Sequence, residues 1–153
     1  MGMLEFSKPY LTSLKIIEQS QGCVMHGIKT SDPGFSGFGE AYFSTVHNGL
    51  IKGWKLHQEM TLNLVVPSGE IRFVVHDGIR NESKPFIEPL IDVVLGDNNY
   101  RRLTIPPNFW LAFEGVGKNI NMLMNVANIE HDPNEALNKN LDFFNVKGCE
   151  YYG

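Results

Sequence analysis

Short apolar runs separated by turn residues follow one another between residues 23 and 128. They are CVMHGIK, GEAYFSTV, GLIKGWKLH, TLNLVVP, EIRFVVHD, FIEPLIDVVLG, YRRLTIPP, FWLAFEG and INMLMNVAN. Their spacing of roughly 8–12 residues is typical of an all-β sandwich or barrel built from many short strands. The pattern therefore predicts an all-β fold.

The most regular alternation lies in residues 61–67. If this segment is extended, one face carries the apolar side chains of Leu62, Leu64 and Val66. Turn residues follow at Ser68-Gly69, and a second turn is indicated at residues 96–99, which read Gly-Asp-Asn-Asn. Each turn lies between two strand-like runs, so the sequence predicts a β-hairpin at each of them.

Two segments do not follow the strand pattern clearly. In HDPNEALNKN, Asp132 suits an N-cap, Pro133 suits the first helical turn, and Glu135 completes a capping box. This segment predicts a short helix after the strands. The stretch LTSLKIIEQ, residues 11–19, fits either a helix or an edge strand.

Composition is typical of a single globular domain. The 153 residues are 42% apolar and 20% charged, with a net charge of −4, which suits one domain over residues 1–153. The acidic balance argues against nucleic-acid binding.

No apolar run approaches the ~18 residues of a membrane helix, and the N-terminus lacks a signal-peptide pattern. Cys23 and Cys149 lack metal-type spacing and suit a reduced, cytoplasmic protein, with a disulfide left open.

Lys55 and His57 form the most specific chemical pattern. On a strand, residues two apart point to the same face, about 6.5–7 Å from each other along the chain. A base on this face could remove a proton from a substrate, and a neighbouring positive charge could stabilise the oxyanion that forms. A histidine suits the first task and a lysine the second. The alternative is that Lys55 reaches solvent at a barrel rim and His57 caps a loop.

Other polar and aromatic residues are candidates for proton donation and substrate binding. Tyr100 and Tyr42 are candidate acids, although Tyr100 also suits a turn and Tyr42 a core position. Asn125 lies within an apolar strand, where an amide is costly unless it is hydrogen-bonded, so a position facing a cavity is expected. Arg72 and Arg102 could pair with phosphate oxygens through their planar guanidinium groups, although an arginine on such a strand often points outward. Trp54 could stack on a ligand ring, although core packing also explains it.

Several motifs together resemble the dTDP-4-dehydrorhamnose 3,5-epimerase family of cupins. They are FGE at residues 38–40, GLIKGWK at 49–55, GEIRFVVHD at 69–77 and NYRRLTIP at 99–106. DPNEALNKNLD resembles the acidic tail motif of the family and places Asp142 at its aspartate. The resemblance implies a jelly-roll β-barrel with a short C-terminal helix, an epimerase acting on a 4-keto-6-deoxy sugar nucleotide, and a homodimer.

The active-site positions depart from the family pattern. Lys55 stands at the position of the catalytic histidine, and Lys52 stands at the arginine before it. Leu111 replaces a histidine, and Asn125 falls at the catalytic tyrosine. The related sugar-nucleotide 3,4-ketoisomerases carry R-R-G-x-H-x-H at this strand, and on that pattern His57 is the second histidine.

Together, the residue chemistry and these resemblances predict a catalytic group of His57, Lys55, Tyr100 and Asp142, with Lys52 among the substrate-binding residues. Metal-binding cupins use His-x-His and a later histidine, whereas Lys55 and Leu111 occupy two of those positions here. We therefore expect a metal-independent epimerase or isomerase without a redox cofactor. A non-catalytic sugar-binding cupin and a metal-dependent cupin enzyme are the alternatives.

Overall fold

The computed structural model describes residues 8–77 and 88–144, which form twelve strands and one 3₁₀ turn. The first six strands are β1 (Tyr10–Ser13), β2 (Ile16–Gln19), β3 (Gly22–Met25), β4 (Glu40–Thr45), β5 (Ile51–His57) and β6 (Leu62–Ser68). The others are β7 (Glu70–His76), β8 (Ile91–Gly96), β9 (Arg101–Ile105), β10 (Trp110–Gly115), β11 (Met122–Ala127) and β12 (Ala136–Asn138). The 3₁₀ turn spans Leu141–Phe143.

Two five-stranded sheets enclose the main core. The first has the order β1-β9-β6-β11-β4 and the second has the order β12-β5-β10-β7-β8, while β2 and β3 form a separate pair. All pairs between these strands are antiparallel. The core draws on both sheets, with Leu62, Leu64 and Val66 of β6 in the same cluster as Phe73 and Val75 of β7. The predicted all-β cupin fold is confirmed, and each apolar run contains a strand.

The two predicted turns exist, but neither closes a hairpin. β6 pairs with β9 and β11 in the first sheet, whereas β7 pairs with β8 and β10 in the second. The turn at Ser68-Gly69 therefore carries the chain from one sheet to the other, and Gly69 has a φ of 79°, which favours glycine. The turn at residues 96–99 likewise links β8 of the second sheet to β9 of the first.

The predicted helix start at Asp132 is also wrong. Asp132 does accept a hydrogen bond from the backbone amide of Asn134, as a capping residue would. The chain then forms β12 against β5, and the 3₁₀ turn at Leu141–Phe143 is the short helix at this end of the described chain. Local capping signals were therefore outweighed by strand pairing. The ambiguous residues 11–19 contain strand residues of β1 and β2.

A second apolar cluster covers the outer face of the second sheet. It contains Trp54, Leu56, Val74, Trp110, Ala112 and Phe144. His76 lies within it, stacked on the Phe144 ring at 4.3 Å and edge-on to the Trp54 ring at 5.5 Å. Burial lowers the pKa of His76, and the charge of Asp77 opposes that shift only in part. Residues 141–144 are thus packed onto the back of the strand that carries Lys55 and His57.

Candidate active site

A cavity of about 580 Å³ opens between the two five-stranded sheets. Its apolar lining consists of Met60, Leu62, Leu64, Leu111, Phe113 and Leu123. Its polar lining consists of Glu40, Tyr42, Ser44, Lys52, Lys55, His57, His131 and Asn138. A volume of this size, with a few polar groups over an apolar floor, is typical of a small-molecule site.

Lys55 and His57 both line this cavity. They alternate along β5 with Trp54 and Leu56, which belong to the cluster on the opposite face of the sheet. The period of two along a strand therefore places the lysine and the histidine together, as the sequence suggested.

Lys52 reaches the same face through an irregularity in β5. Its spacing of three from Lys55 would put it on the other face of a regular strand. Between the pairs Leu111↔Lys55 and Phe113↔Lys52, however, β5 has one residue more than β10. This is a β-bulge, and it turns Lys52 into the cavity. Its Nζ donates to the Thr45 carbonyl at 2.7 Å and lies 3.3 Å from Ser44 Oγ.

Gly53 is the residue that makes this bulge possible. It has a φ of 140°, a region that other residues rarely adopt. A Cβ at this position would lie 2.7 Å from the Cα and the Cβ of Ala112 on β10. Both the backbone conformation and the close approach of the neighbouring strand therefore require glycine.

A buried carboxylate holds His57. β12 pairs with β5 in the register Ala136↔His57, so Glu135 arrives beside the imidazole. Glu135 Oε1 and His57 Nδ1 form a hydrogen bond, and the Glu135 residue is only 4% exposed. Glu135 Oε2 accepts hydrogen bonds from the backbone amides of Glu59 at 3.1 Å and Met60 at 3.3 Å.

These contacts determine the ionisation of Glu135. Burial alone would raise the pKa of Glu135, but the hydrogen bonds from His57, Glu59 and Met60 outweigh burial and hold that pKa below its usual range. An ionised carboxylate can only accept, so Nδ1 of His57 carries the proton that it donates. In the neutral imidazole this leaves the lone pair on Nε2, which is the arrangement that a general base requires.

Asn125 lies behind the cavity wall rather than on it. It is 0% exposed, and its Oδ1 accepts a hydrogen bond from the Asn63 backbone amide at 3.0 Å. Its Nδ2 donates to Tyr42 Oη at 3.1 Å. The amide is therefore satisfied at both ends and contacts the cavity only through Tyr42.

The two candidate arginines lie outside the cavity. Arg72 forms a two-pronged ion pair with Asp92 on β8, at 2.8 and 2.7 Å. Arg102 is fully buried and donates to the carbonyls of Gly27 and Pro33, each at 2.9 Å. It therefore holds the segment before β4 against the outer face of the first sheet. Neither arginine is placed to bind a ligand in the cavity.

The remaining candidates from the sequence are also elsewhere. Tyr100 donates its hydroxyl proton to the His26 carbonyl at 2.7 Å, and burial raises the pKa of Tyr100, with a smaller contribution from Cys23. Trp54 packs behind β5, and its Nε1 donates to the Leu141 carbonyl at 3.1 Å. Asp142 is exposed on the 3₁₀ turn and does not line the cavity.

The sequence interpretation missed the carboxylate that matters most. Glu135 follows Asp132 by three residues, and that spacing predicts a capping box rather than a partner for a histidine. Its partner His57 is 78 residues away in the sequence, and only the pairing of β12 with β5 brings the two together. Glu40, Ser44 and Asn138 were missed because their strands gave no chemical signal.

Two findings concern metals and membranes. Within residues 8–77 and 88–144, no three His, Cys, Asp or Glu side chains converge as metal ligands would. In the same part of the chain, no helix has the length and apolar character needed to cross a membrane.

The fold and the cavity define a cupin with a histidine–carboxylate pair and two lysines facing a small-molecule site. No protein-family profile matches the chain. A solved dTDP-sugar isomerase from Desulfovibrio desulfuricans is 36% identical, with a TM-score of 0.78 over 88% of this chain and 85% of that chain. The chain therefore belongs to the dTDP-sugar isomerase and epimerase family of cupins, and the resemblance read from its motifs is confirmed.

Two other proteins are similar over part of the chain or in fold. A probable low-salt glycan biosynthesis epimerase of Haloferax volcanii is 28% identical over 86 residues, which cover 56% of this chain and 54% of that relative. The matched region thus spans about half the length of that curated relative. A mutant of the 3,4-ketoisomerase QdtA of Thermoanaerobacterium thermosaccharolyticum, solved with TDP-4-keto-6-deoxyglucose, is 18% identical, with a TM-score of 0.69 over 85% of this chain and 86% of that chain. The latter likeness concerns the fold.

Proposed function

We propose that this protein is an epimerase or isomerase that acts on a 4-keto-6-deoxy sugar nucleotide by removing a proton from a carbon beside the ketone. The His57–Glu135 pair inside the cavity carries this proposal, because it supplies an oriented base where a small ligand fits. The 36% identical relative is named a dTDP-sugar isomerase, and the QdtA structure holds a TDP-linked 4-keto-6-deoxy sugar. Both names point to the same class of substrate.

In the proposed reaction, Nε2 of His57 takes the α-proton and Glu135 stabilises the imidazolium that forms. Lys55, two residues away on the same face of β5, stabilises the negative oxygen of the enolate. Lys52, further along the cavity wall, provides a positive charge for the diphosphate of the substrate. The positive charge that a metal ion would supply to the enolate is assigned to Lys55, so the proposed reaction uses neither a metal nor a redox cofactor.

The test is proton exchange in deuterated water. Nucleotide-linked 4-keto-6-deoxy sugars with different bases are incubated with the protein, and loss of the α-proton signal is followed by NMR. We expect His57→Asn to slow exchange by about 10²–10⁴-fold while the protein stays folded. His47→Asn is the matched control, because His47 is exposed and does not line the cavity.

Two outcomes would point to the alternative functions. Binding of the sugar nucleotide without exchange in the wild-type protein would indicate a non-catalytic sugar-binding cupin. Exchange that disappears after treatment with a strong chelator and returns with a divalent ion would indicate a metal-dependent enzyme. On the present proposal, chelation leaves exchange unchanged.

A homodimer is part of the proposal. On the outer face of the first sheet, Phe43 of β4 is 65% exposed and is paired with Met124 of β11. Ala41 and Val126 form the neighbouring pair on the same face. An exposed apolar face of this kind suits contact with a second subunit. Light scattering tests it, since Phe43→Asp should shift a dimer towards monomer.

A cytoplasmic location completes the proposal. Its support is Cys23, whose thiol is free and exposed, as expected in a reducing compartment. Fractionation of the producing cells tests it.

A further inference from the structure

The aromatic cluster on the outer face of the second sheet contains a histidine without hydrogen-bond partners. His76 is 1% exposed, and neither of its ring nitrogens has a partner within residues 8–77 and 88–144. Its ring lies parallel to that of Phe144, with an interplanar angle of 4° and ring centroids 4.3 Å apart. Trp54 covers it edge-on, and Trp110 is its neighbour on β10. The neutral imidazole is therefore packed as an aromatic ring.

Phe144 belongs to a segment that lies across the back of β5. This segment, residues 139–144, is called the strap below. The backbones of Lys139 and Trp54 exchange two hydrogen bonds, at 3.1 and 3.0 Å, and the Leu141 carbonyl accepts from Trp54 Nε1 at 3.1 Å. The strap is thus held to the sheet at two places, by strand pairing at Lys139 and by ring stacking at Phe144.

The strap continues directly from a wall of the cavity. Asn138, the residue before the strap, lines the cavity and pairs with Lys55 in the register of β12 and β5. Because β12 has only 3 residues and lies at the edge of the second sheet, few contacts hold it once the strap is detached. Glu135 has anchors of its own, since the backbone amides of Glu59 and Met60 donate to its carboxylate. Detachment of the strap therefore reaches Asn138 before it reaches Glu135.

Protonation of His76 is incompatible with this packing. An imidazolium carries two N–H donors, and in this cluster neither donor finds an acceptor while the charge is buried. Attraction between the cation and the Phe144 ring offsets this cost only in part. Burial accordingly lowers the pKa of His76, against the opposing charge of Asp77.

The charged groups around His76 do not change this balance. Those on the surrounding elements are Asp77, Glu88, Asp92, Lys139 and Asp142. Asp92 is bound to Arg72, and Nζ of Lys139 lies 5.3 Å from the centre of the Phe143 ring. Asp77, Glu88 and Asp142 are exposed. None of the five is a hydrogen-bond partner of either His76 nitrogen.

We propose that His76 is a pH-sensitive switch for the strap: its protonation expels the Phe144 ring, detaches the strap from β5 and opens the cavity wall at Asn138. The closed form is fully favoured above the ordinary histidine pKa of about 6.5 and is lost as the pH falls below that value. Since one proton is taken up on opening, the ratio of open to closed strap rises by up to about tenfold for each pH unit.

Tryptophan fluorescence of the full chain follows the cluster, because the two tryptophans of the protein, Trp54 and Trp110, both belong to it. Between pH 7.5 and 5, we expect the wild-type emission to shift to longer wavelength with the slope of a one-proton transition. His76→Phe keeps a ring against Phe144 but cannot be protonated, so its emission should not shift. His47→Phe is the matched control and should behave as the wild type, because His47 is exposed and lies outside the cluster.

Amide hydrogen exchange shows where the structure opens. After correction for intrinsic exchange rates, the amides of Lys139 and Trp54 should lose protection by up to about tenfold per pH unit below about 6.5 in the wild type. In His76→Phe their protection should not change with pH. The Met60 amide should stay protected in both proteins, because it donates to the carboxylate of Glu135.

Phe144→Ala tests the strap without a histidine variant. It removes the ring on which His76 stacks, so protection at Lys139 should be low already at pH 7.5. Unchanged protection at Lys139 in this variant would overturn the inference, as would the wild-type fluorescence shift in a folded His76→Phe protein. Joint loss of protection at Lys139 and Met60 would also overturn it, because that result indicates unfolding of the whole sheet.

These measurements use no substrate, so their outcome is separate from that of the proposed function. Where the proposed function also holds, opening of the wall at Asn138 should weaken binding of the sugar nucleotide while the His57–Glu135 pair stays in place. KM should then rise below about pH 6.5 in the wild type more than in His76→Phe.

Discussion

Replacing Glu135 by glutamine changes one buried atom beside His57 and tests the histidine–carboxylate pair directly. The backbone amides of Glu59 and Met60 lie 3.1 and 3.3 Å from Glu135 Oε2, and both require an acceptor. A glutamine satisfies them with its oxygen and turns its NH₂ group towards His57 Nδ1. Nδ1 must then accept, so the imidazole proton moves to Nε2. The nitrogen that takes the substrate proton is thereby blocked.

The expected loss follows from the role of this nitrogen. A well-placed general base contributes about 10²–10⁴-fold in rate, or roughly 2.7–5.4 kcal/mol of barrier at 1.36 kcal/mol per tenfold. We therefore expect Glu135→Gln to slow α-proton exchange by at least about 10²-fold. Glu59→Gln is the matched control, because its side chain is exposed and its backbone amide is unchanged. Exchange by Glu135→Gln within about threefold of wild type would refute the reasoning.

The same variant has a consequence for stability. The pKa of Glu135 is lower in the folded protein than its usual value, so the ionised carboxylate stabilises the fold above its unfolded pKa of about 4.3. This contribution is lost as the pH falls through the folded pKa. We expect the Tm difference between wild type and Glu135→Gln to shrink as the pH is lowered from 6 towards 3. A difference that stays constant would contradict the assigned pKa direction.

Three further predictions concern the bulge, the cavity charge and the outer cluster. Lys52→Gln should raise KM about tenfold with little change in kcat, because it removes one charge-assisted contact to the bound anion. Steady-state kinetics measures both constants, and Lys118→Gln is the control. Gly53→Ala should lower the free energy of unfolding by about 1–3 kcal/mol, because Gly53 has a φ of 140° and an added Cβ would contact Ala112. Urea denaturation measures this change in the free energy of unfolding. Burial lowers the pKa of His76, so the unfolded state binds the proton more readily and stability should fall as the pH drops below about 6.5. His76→Phe should flatten the dependence of Tm on pH between 7.5 and 5.5.

Much of the fold follows from local patterns in the sequence. Alternation along residues 62–66 depends only on the two-residue period of a strand, so the inward positions of Leu62, Leu64 and Val66 were predictable. The same period placed Lys55 and His57 on one face. Turn residues likewise marked where strands end, because glycine and asparagine favour the backbone angles that turns require.

Only the tertiary structure decided which strands pair and which side chains meet. The turn at Ser68-Gly69 looks the same locally whether it closes a hairpin or crosses between sheets, and packing of both sheets over one core selects the crossing. Lys52 enters the cavity because a bulge shifts the period of β5. Glu135 meets His57 because β12 pairs with β5, across 78 residues of sequence. Local sequence patterns indicate which residues of one strand share a face. Strand pairing and contacts between distant residues depend instead on the free energy of the whole assembled core.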